Sequence, residues 1–88
     1  MKVEYRKRFL KELTRIPASH RRNIERFVFE EFPALKSISD SNKIESMKGY
    51  PNHFKARFGD YRIGFRLVGN TIVFERALHR KEIYRYFT

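Results

Sequence analysis

The chain changes its hydrophobic period once, near its middle. Lys2 to Arg6 alternates, with Val3 and Tyr5 on one side, and predicts a short strand. Phe9, Leu13 and Ile16 then recur at helical spacing until Pro17 interrupts. Pro17 suits the first turn of a second helix, where a missing N–H costs nothing. Ile24, Phe27, Val28 and Phe32 give that helix one apolar stripe, expected to end before Pro33. Two amphipathic helices in succession predict a helical hairpin, and the polar run Lys36 to Lys43 (KSISDSNK) reads as the loop that follows it.

From His53 the period is two. Phe54, Ala56 and Phe58 share one side of a strand, Tyr61, Ile63, Phe65 and Leu67 share one side of the next, and a third strand is expected from Thr71 to Ala77. The breaks are Gly59-Asp60 and Gly69-Asn70, with Gly where a two-residue hairpin turn needs positive φ. These turns fix a register: Phe58 faces Tyr61, Arg57 faces Arg62, Ala56 faces Ile63, Lys55 faces Gly64, Phe54 faces Phe65 and His53 faces Arg66. The second turn sets Leu67 against Ile72, Phe65 against Phe74 and Gly64 against Glu75. One face is therefore apolar and turned to the helices. The other collects His53, Lys55, Arg57, Arg62 and Arg66, with Glu75 as the one acid that can offset them.

Composition sharpens this picture. Eighty-eight residues make one domain, 1–88, and with no cysteine the core must hold the fold unaided. Twenty Lys and Arg against ten Asp and Glu leave +10, and the excess is spread evenly: residues 1–44 carry eleven basic and six acidic groups, residues 45–88 nine and four, so each half is +5. A field of that sign favours a polyanionic partner. Like charges directly opposite in an antiparallel pair are destabilising, so stability alone would not set Arg57 against Arg62, and the pairing suggests a bound anion. Gly64 beside Lys55 either lets a phosphodiester approach closely or marks a twist or bulge. The charges along the helices (Lys7, Lys11, Arg15, Arg21, Arg22, Arg26) read as solvated faces. No apolar run approaches a membrane span and no signal-peptide h-region opens the chain, so a cytoplasmic protein is expected.

Zinc spacing, phosphate-binding glycine loops and a nucleophile triad are all missing from the sequence. What the basic face suits is metal-independent, cofactor-free phosphate chemistry. RNA permits it, because its 2′-hydroxyl can attack the adjacent phosphorus once a base takes the proton and cations stabilise the pentacovalent charge. Just past the third strand, His79 adds a side chain that exchanges protons near neutral pH, beside Arg80. Tyr84 and Tyr86 are placed to stack on a base or to pack on the core.

The order of strand, two helices and antiparallel sheet, with MKGYPNHFKARFGDYRIGFRL and then ALHRKEIYRYF, resembles the RelE/ParE superfamily of bacterial and archaeal toxins over essentially the whole chain. The resemblance implies a compact α+β fold, β-α-α-β-β-β-β-α, with an antiparallel sheet of three to four strands and a short C-terminal helix. It also implies one of two activities. The RelE branch comprises messenger-RNA endonucleases that mostly cut in the ribosomal A site; the ParE branch poisons DNA gyrase. Carried over residue by residue, the RelE pattern falls on Lys55, Arg57 and Arg62 around the cleaved phosphate, Arg80 as the later basic position, and Tyr84 as the late tyrosine, with Tyr86 as its substitute. A second nuclease branch implies Glu45, in E-S-M-K, and His79. The general base is thus one of His79, Glu45 and Lys55. His53, Arg66, Lys48, Lys81 and Tyr86 complete the expected RNA-binding surface. Lys55 and Arg57 favour the nuclease branch. A cognate RelB-like antitoxin, messenger RNA and the ribosome are the expected partners. A gyrase inhibitor and a noncatalytic RNA-binding domain are the alternatives.

Overall fold

A computed structural model describes residues 1–86. Strand β1 (Lys2–Tyr5) leads into helix α1 (Lys7–Leu13), and α2 (Ala18–Glu25) follows with Pro17 as its N-cap. After the loop come β2 (Ile44–Ser46), β3 (His53–Phe58), β4 (Tyr61–Val68) and β5 (Thr71–His79). The five strands form one sheet in the order β1-β5-β4-β3-β2. All pairs are antiparallel except β1 with β5, so the expected antiparallel strands are β2 to β5 and the first strand joins in parallel. The first hairpin has all six expected pairs.

The second hairpin departs from the expected register at one place. Leu67 faces Ile72 and Phe65 faces Phe74 as read, but Gly64 faces Arg76 rather than Glu75. A β-bulge at Gly64/Phe65 leaves Glu75 as an extra residue opposite none. Beyond it Ala77 faces Ile63, Leu78 faces Arg62 and His79 faces Tyr61. The strand therefore reaches His79, two residues past its expected end, and His79 also caps a short helix whose first residue is Arg80.

The second helix does not stop before Pro33. It continues from α2 through a π-helical stretch (Arg26–Glu31) into a last turn, α3 (Phe32–Ala34). There the Phe32 N–H donates to the Phe27 carbonyl, five residues back. In that wider register the next carbonyl, Val28, would need an N–H from Pro33, which has none. The Tyr5 hydroxyl donates to it instead, at 2.6 Å. The proline is accommodated because a side chain from β1 replaces its missing donor.

The core lies between the helices and one face of the sheet. Phe9, Phe27, Phe32, Phe65 and Phe74 are fully buried. Phe32 packs edge-on against Phe65 and Phe74, each with ring centroids 5.2 Å apart, and Phe74 also meets Phe9 at 5.4 Å. Every apolar residue assigned above to the helical stripes is in this core. The short helix α4 (Arg80–Ile83) lies against β4 and β5 with Ile83 buried.

Candidate functional site

The sheet face turned away from the core is built from β2, β3, β4 and the far half of β5. Glu45 on β2 stands directly opposite Lys55 on β3. Its carboxylate also pairs with Arg57, Nε to Oε1 at 3.4 Å, with both side chains about half exposed. Lys55 presents its ammonium to the ring of Tyr84, 5.6 Å from the centroid. Gly64 lies between Lys55 on one side and Arg76 on the other, and it is itself buried, with the C-terminal tyrosines over both cations.

Nothing in the sequence points to Arg76, because the bulge is what brings it onto this face. Its guanidinium lies 3.8 Å from the Tyr86 ring centroid. On its other side it grips Glu12 of α1 with Nε and a terminal nitrogen, and Glu12 also accepts the Ala77 N–H at 3.0 Å. Lys55 and Arg76 thus each carry a C-terminal tyrosine.

The remaining expected site residues are distributed differently. Arg62 is buried, with 7% of its surface exposed. It donates through one terminal nitrogen to the Gly59 and Tyr61 carbonyls, at 2.6 and 3.0 Å. Its Nε is buried with no hydrogen-bond partner among the described residues. Arg80 turns to the first hairpin, 3.7 Å from Asp60, and its N–H donates to the Asp60 carbonyl.

His79 shares a side of the sheet with its pair Tyr61, which packs on the core, and so does not face Lys55 and Arg57. Its Nδ1 accepts the Lys81 N–H at 3.2 Å. That bond fixes the neutral ring's proton on Nε2, making it a donor rather than a base as it stands. Tyr61 lies between His79 and His20, with centroids 5.6 and 5.3 Å away. His53 sits opposite Arg66 at the far end of the hairpin, with Nδ1 2.9 Å from the Pro51 carbonyl. Lys48 is exposed in the β2–β3 turn, and Lys81 and Tyr86 are exposed at the C-terminal end.

Glu75 is the second charge centre of this face. It is 6% exposed and pairs with Arg66 at 2.7 Å, Arg8 at 2.8 Å and Arg6 at 3.3 Å. Burial alone pushes its pKa up, but hydrogen bonds from Arg66 and Arg8 and the nearby charge of Arg6 outweigh this and hold the carboxyl below its ordinary value. Arg6 and Arg8 carry no signal in the sequence, since they reach Glu75 only through the parallel pairing of β1 with β5.

Residues 3–84 match the family of ParE toxins of type II toxin–antitoxin systems, parDE. The toxin RelE3 of Methanocaldococcus jannaschii is 43% identical over 88 residues, covering 99% of each chain. In the RelB–RelE antitoxin–toxin complex from Methanococcus jannaschii, one chain superposes with a TM-score of 0.80 at 39% identity, over 96% of this chain and 98% of that one. The isolated Escherichia coli RelE toxin shares the fold, with a TM-score of 0.67 at 15% identity over 97% and 92% of the two chains.

A basic sheet face behind a two-helix layer is thus the RelE/ParE type of toxin fold. The chain belongs to the ParE toxin family of type II toxin–antitoxin systems, and its sequence relatives carry the RelE name.

Proposed function

We propose that this chain is a RelE-type messenger-RNA endonuclease, working in the cytoplasm and inhibiting translation by cleaving mRNA in the ribosomal A site. The observation that carries the reading is the cluster of Glu45, Lys55 and Arg57 on adjacent strands, with the Tyr84 ring over Lys55. A carboxylate, a proton-bearing cation and a guanidinium within one small area are the parts that metal-independent transesterification needs.

In the proposed step the Glu45 carboxylate takes the proton of the 2′-hydroxyl. The 2′-oxygen forms its bond to phosphorus while the bond to the 5′-oxygen breaks, and Lys55 supplies the leaving oxygen's proton. The products are a 2′,3′-cyclic phosphate and a 5′-hydroxyl. Arg57 stabilises the charge on the non-bridging oxygens. Arg62 is the second guanidinium for the phosphate, through the terminal nitrogen that its bonds to the Gly59 and Tyr61 carbonyls leave over. Tyr84 stacks on a base. His79 falls outside this step because of its side of the sheet and its occupied Nδ1, and Arg80 is a supporting cation at the edge.

A cognate RelB-like antitoxin is the proposed protein partner, supported by the RelB-bound relative and by the +10 charge, which suits an acidic or amphipathic segment. The match to the ParE family supports gyrase inhibition as the second reading. Primer extension on mRNA from a translating extract separates the two. New 5′ ends are expected with the native chain and ribosomes, retained by His79→Ala and abolished by Lys55→Ala or Glu45→Gln. Growth arrest without new ends would sink the nuclease reading and point to gyrase.

A further inference from the structure

At the end of the sheet away from Tyr84, one cavity of about 540 Å³ is lined by Arg6, Lys7, Arg8, Arg66 and Glu75. Four cations and one carboxylate leave it at +3. Three guanidiniums so close together repel one another, and the nearly buried Glu75 offsets that repulsion by taking one or more nitrogens from each. Both Arg6 and Arg66 bind Glu75 through Nε. Their terminal nitrogens, two on each side chain, consequently have no acceptor among the described residues. Arg8 is fixed more firmly, through Nε on the Glu75 carbonyl and a terminal nitrogen on the carboxylate.

A single ion pair would have used up both charges; here the carboxylate holds three guanidiniums in place and still leaves donors unspent. The side chains of Arg6, Arg8 and Arg66 are 49%, 57% and 37% exposed, so those donors are within reach of solvent. Fixed guanidinium forks match the oxygens of a phosphate better than mobile ammonium groups do.

Position selects the ligand. Arg66 and Gly64 are two residues apart on the same face of β4, a step of about 7 Å along a strand. The cavity therefore lies on the same face as Lys55, one same-face step along β4 from the residue paired with it. We propose that Arg6, Arg8 and Arg66, aligned by Glu75 and assisted by Lys7, form a second phosphate-binding subsite for the RNA strand whose scissile phosphate lies beside Lys55. The inference rests on the RNA-binding reading of this face and extends it to the N-terminal end of α1, which a solvated-helix reading would leave without function. Glu75 is a positioning residue in this arrangement.

The test measures binding of a short, uncleavable 2′-O-methyl RNA across a salt series, with thermal melting as the check on folding. The variants are Arg6→Gln/Arg8→Gln, the charge-keeping Arg6→Lys/Arg8→Lys, and a control pair on the helical side, Arg22→Gln/Arg26→Gln. For the Gln pair, Kd should rise about tenfold, the scale of one charge-assisted hydrogen bond. Its log–log salt slope should fall by about 0.7 for each phosphate no longer neutralised. The Lys pair should keep most of the slope while losing affinity, which also serves if the Gln pair folds poorly. Equal weakening in the Gln pair and the control pair would overturn the subsite, leaving only net charge. Native binding that weakens with Lys55→Gln but not with the Gln pair would overturn it while preserving the RNA reading. No RNA binding by the native chain would overturn the subsite, and new 5′ ends in the translating extract would then keep the nuclease reading without it. RNA affinity kept while antitoxin binding disappears would make the cluster a protein interface, and the proposal would fall.

Discussion

Individual side chains here hold positions that the backbone leaves open. Tyr5 supplies the donor that Pro33 lacks, so Tyr5→Phe leaves the Val28 carbonyl unpaired and is expected to cost about 1–2 kcal/mol, read from denaturant unfolding. Burial raises the Tyr5 pKa above its ordinary value. The neutral phenol is thus favoured in the folded state, and its contribution is complete below pH ~10 and lost as pH rises through the folded value. The native chain should lose stability in that alkaline window, and Tyr5→Phe should lose less. Glu75 acts in the opposite direction. Its depressed pKa means that its stabilisation is present above the unfolded carboxylate value of about 4.3 and is lost as pH falls through the folded one. An acid titration of Glu75→Gln should show a shallower decline than the native chain. Glu12 binds both Arg76 and the Ala77 N–H, and Glu12→Ala leaves a largely buried guanidinium unpaired, at a cost of about 3–5 kcal/mol.

Among the secondary-structure elements, legibility follows the range of the interaction. The β3–β4 register is readable to the last pair because a two-residue turn and strict alternation specify it locally. Gly59 confirms the turn with φ of +63°, and a Cβ there would come within 2.6 Å of the His20 ring. Gly59→Ala should therefore lower the melting temperature more than Gly69→Ala, where φ is +61° but a Cβ meets nothing within 4 Å. What the sequence does not reveal depends on partners distant in the chain. The bulge at Glu75 is held by Arg6, between β1 and α1, by Arg8 at the start of α1 and by Arg66, the helix passes Pro33 because Tyr5 lies beside it, and β1 joins β5 in parallel. The candidate site divides in the same way. Glu45, Lys55 and Arg57 belong to a local hairpin and its short neighbour and are legible together. His79 does not join them, because its side of the sheet is decided by a one-residue shift four positions upstream.

At the scale of the whole molecule, the charge is partitioned rather than uniform. Internal carboxylates hold the inward-turned arginines, Arg76 at Glu12 and Arg6, Arg8 and Arg66 at Glu75, while Arg57 at the outer face stays more than half exposed. The two edges of the sheet are short strands, β1 with four residues and β2 with three. Both carry charged residues, which discourages strand addition by another chain. Among the described residues no helix is long and apolar enough to cross a membrane. RNA binding should accordingly weaken steeply with salt, since each phosphate neutralised releases counterions, and a binding isotherm with little salt dependence would contradict a phosphate-centred interface.

The extra residue in β5 can also be viewed as a change of phase. Ile72 and Phe74 put the even-numbered positions in the core, and beyond Glu75 the core position is Ala77, an odd one. Two neighbours in sequence, Glu75 and Arg76, therefore stand on the outer side together, and an anion is added without giving up an inward place. Deleting Glu75, as opposed to replacing it, would restore strict alternation. Phe74 and Ala77 would stay inward, Arg76 would stay opposite Gly64, and Tyr84 would keep its reach to Lys55. What would vanish is the anchor that gathers Arg6, Arg8 and Arg66. Shortening a central strand by one residue should then lower the melting temperature about as much as Glu75→Gln does, whereas shortening it at Phe74 should unfold the chain. The bulge is in this sense a removable insert, which lets the charged end of the protein change independently of the packed end.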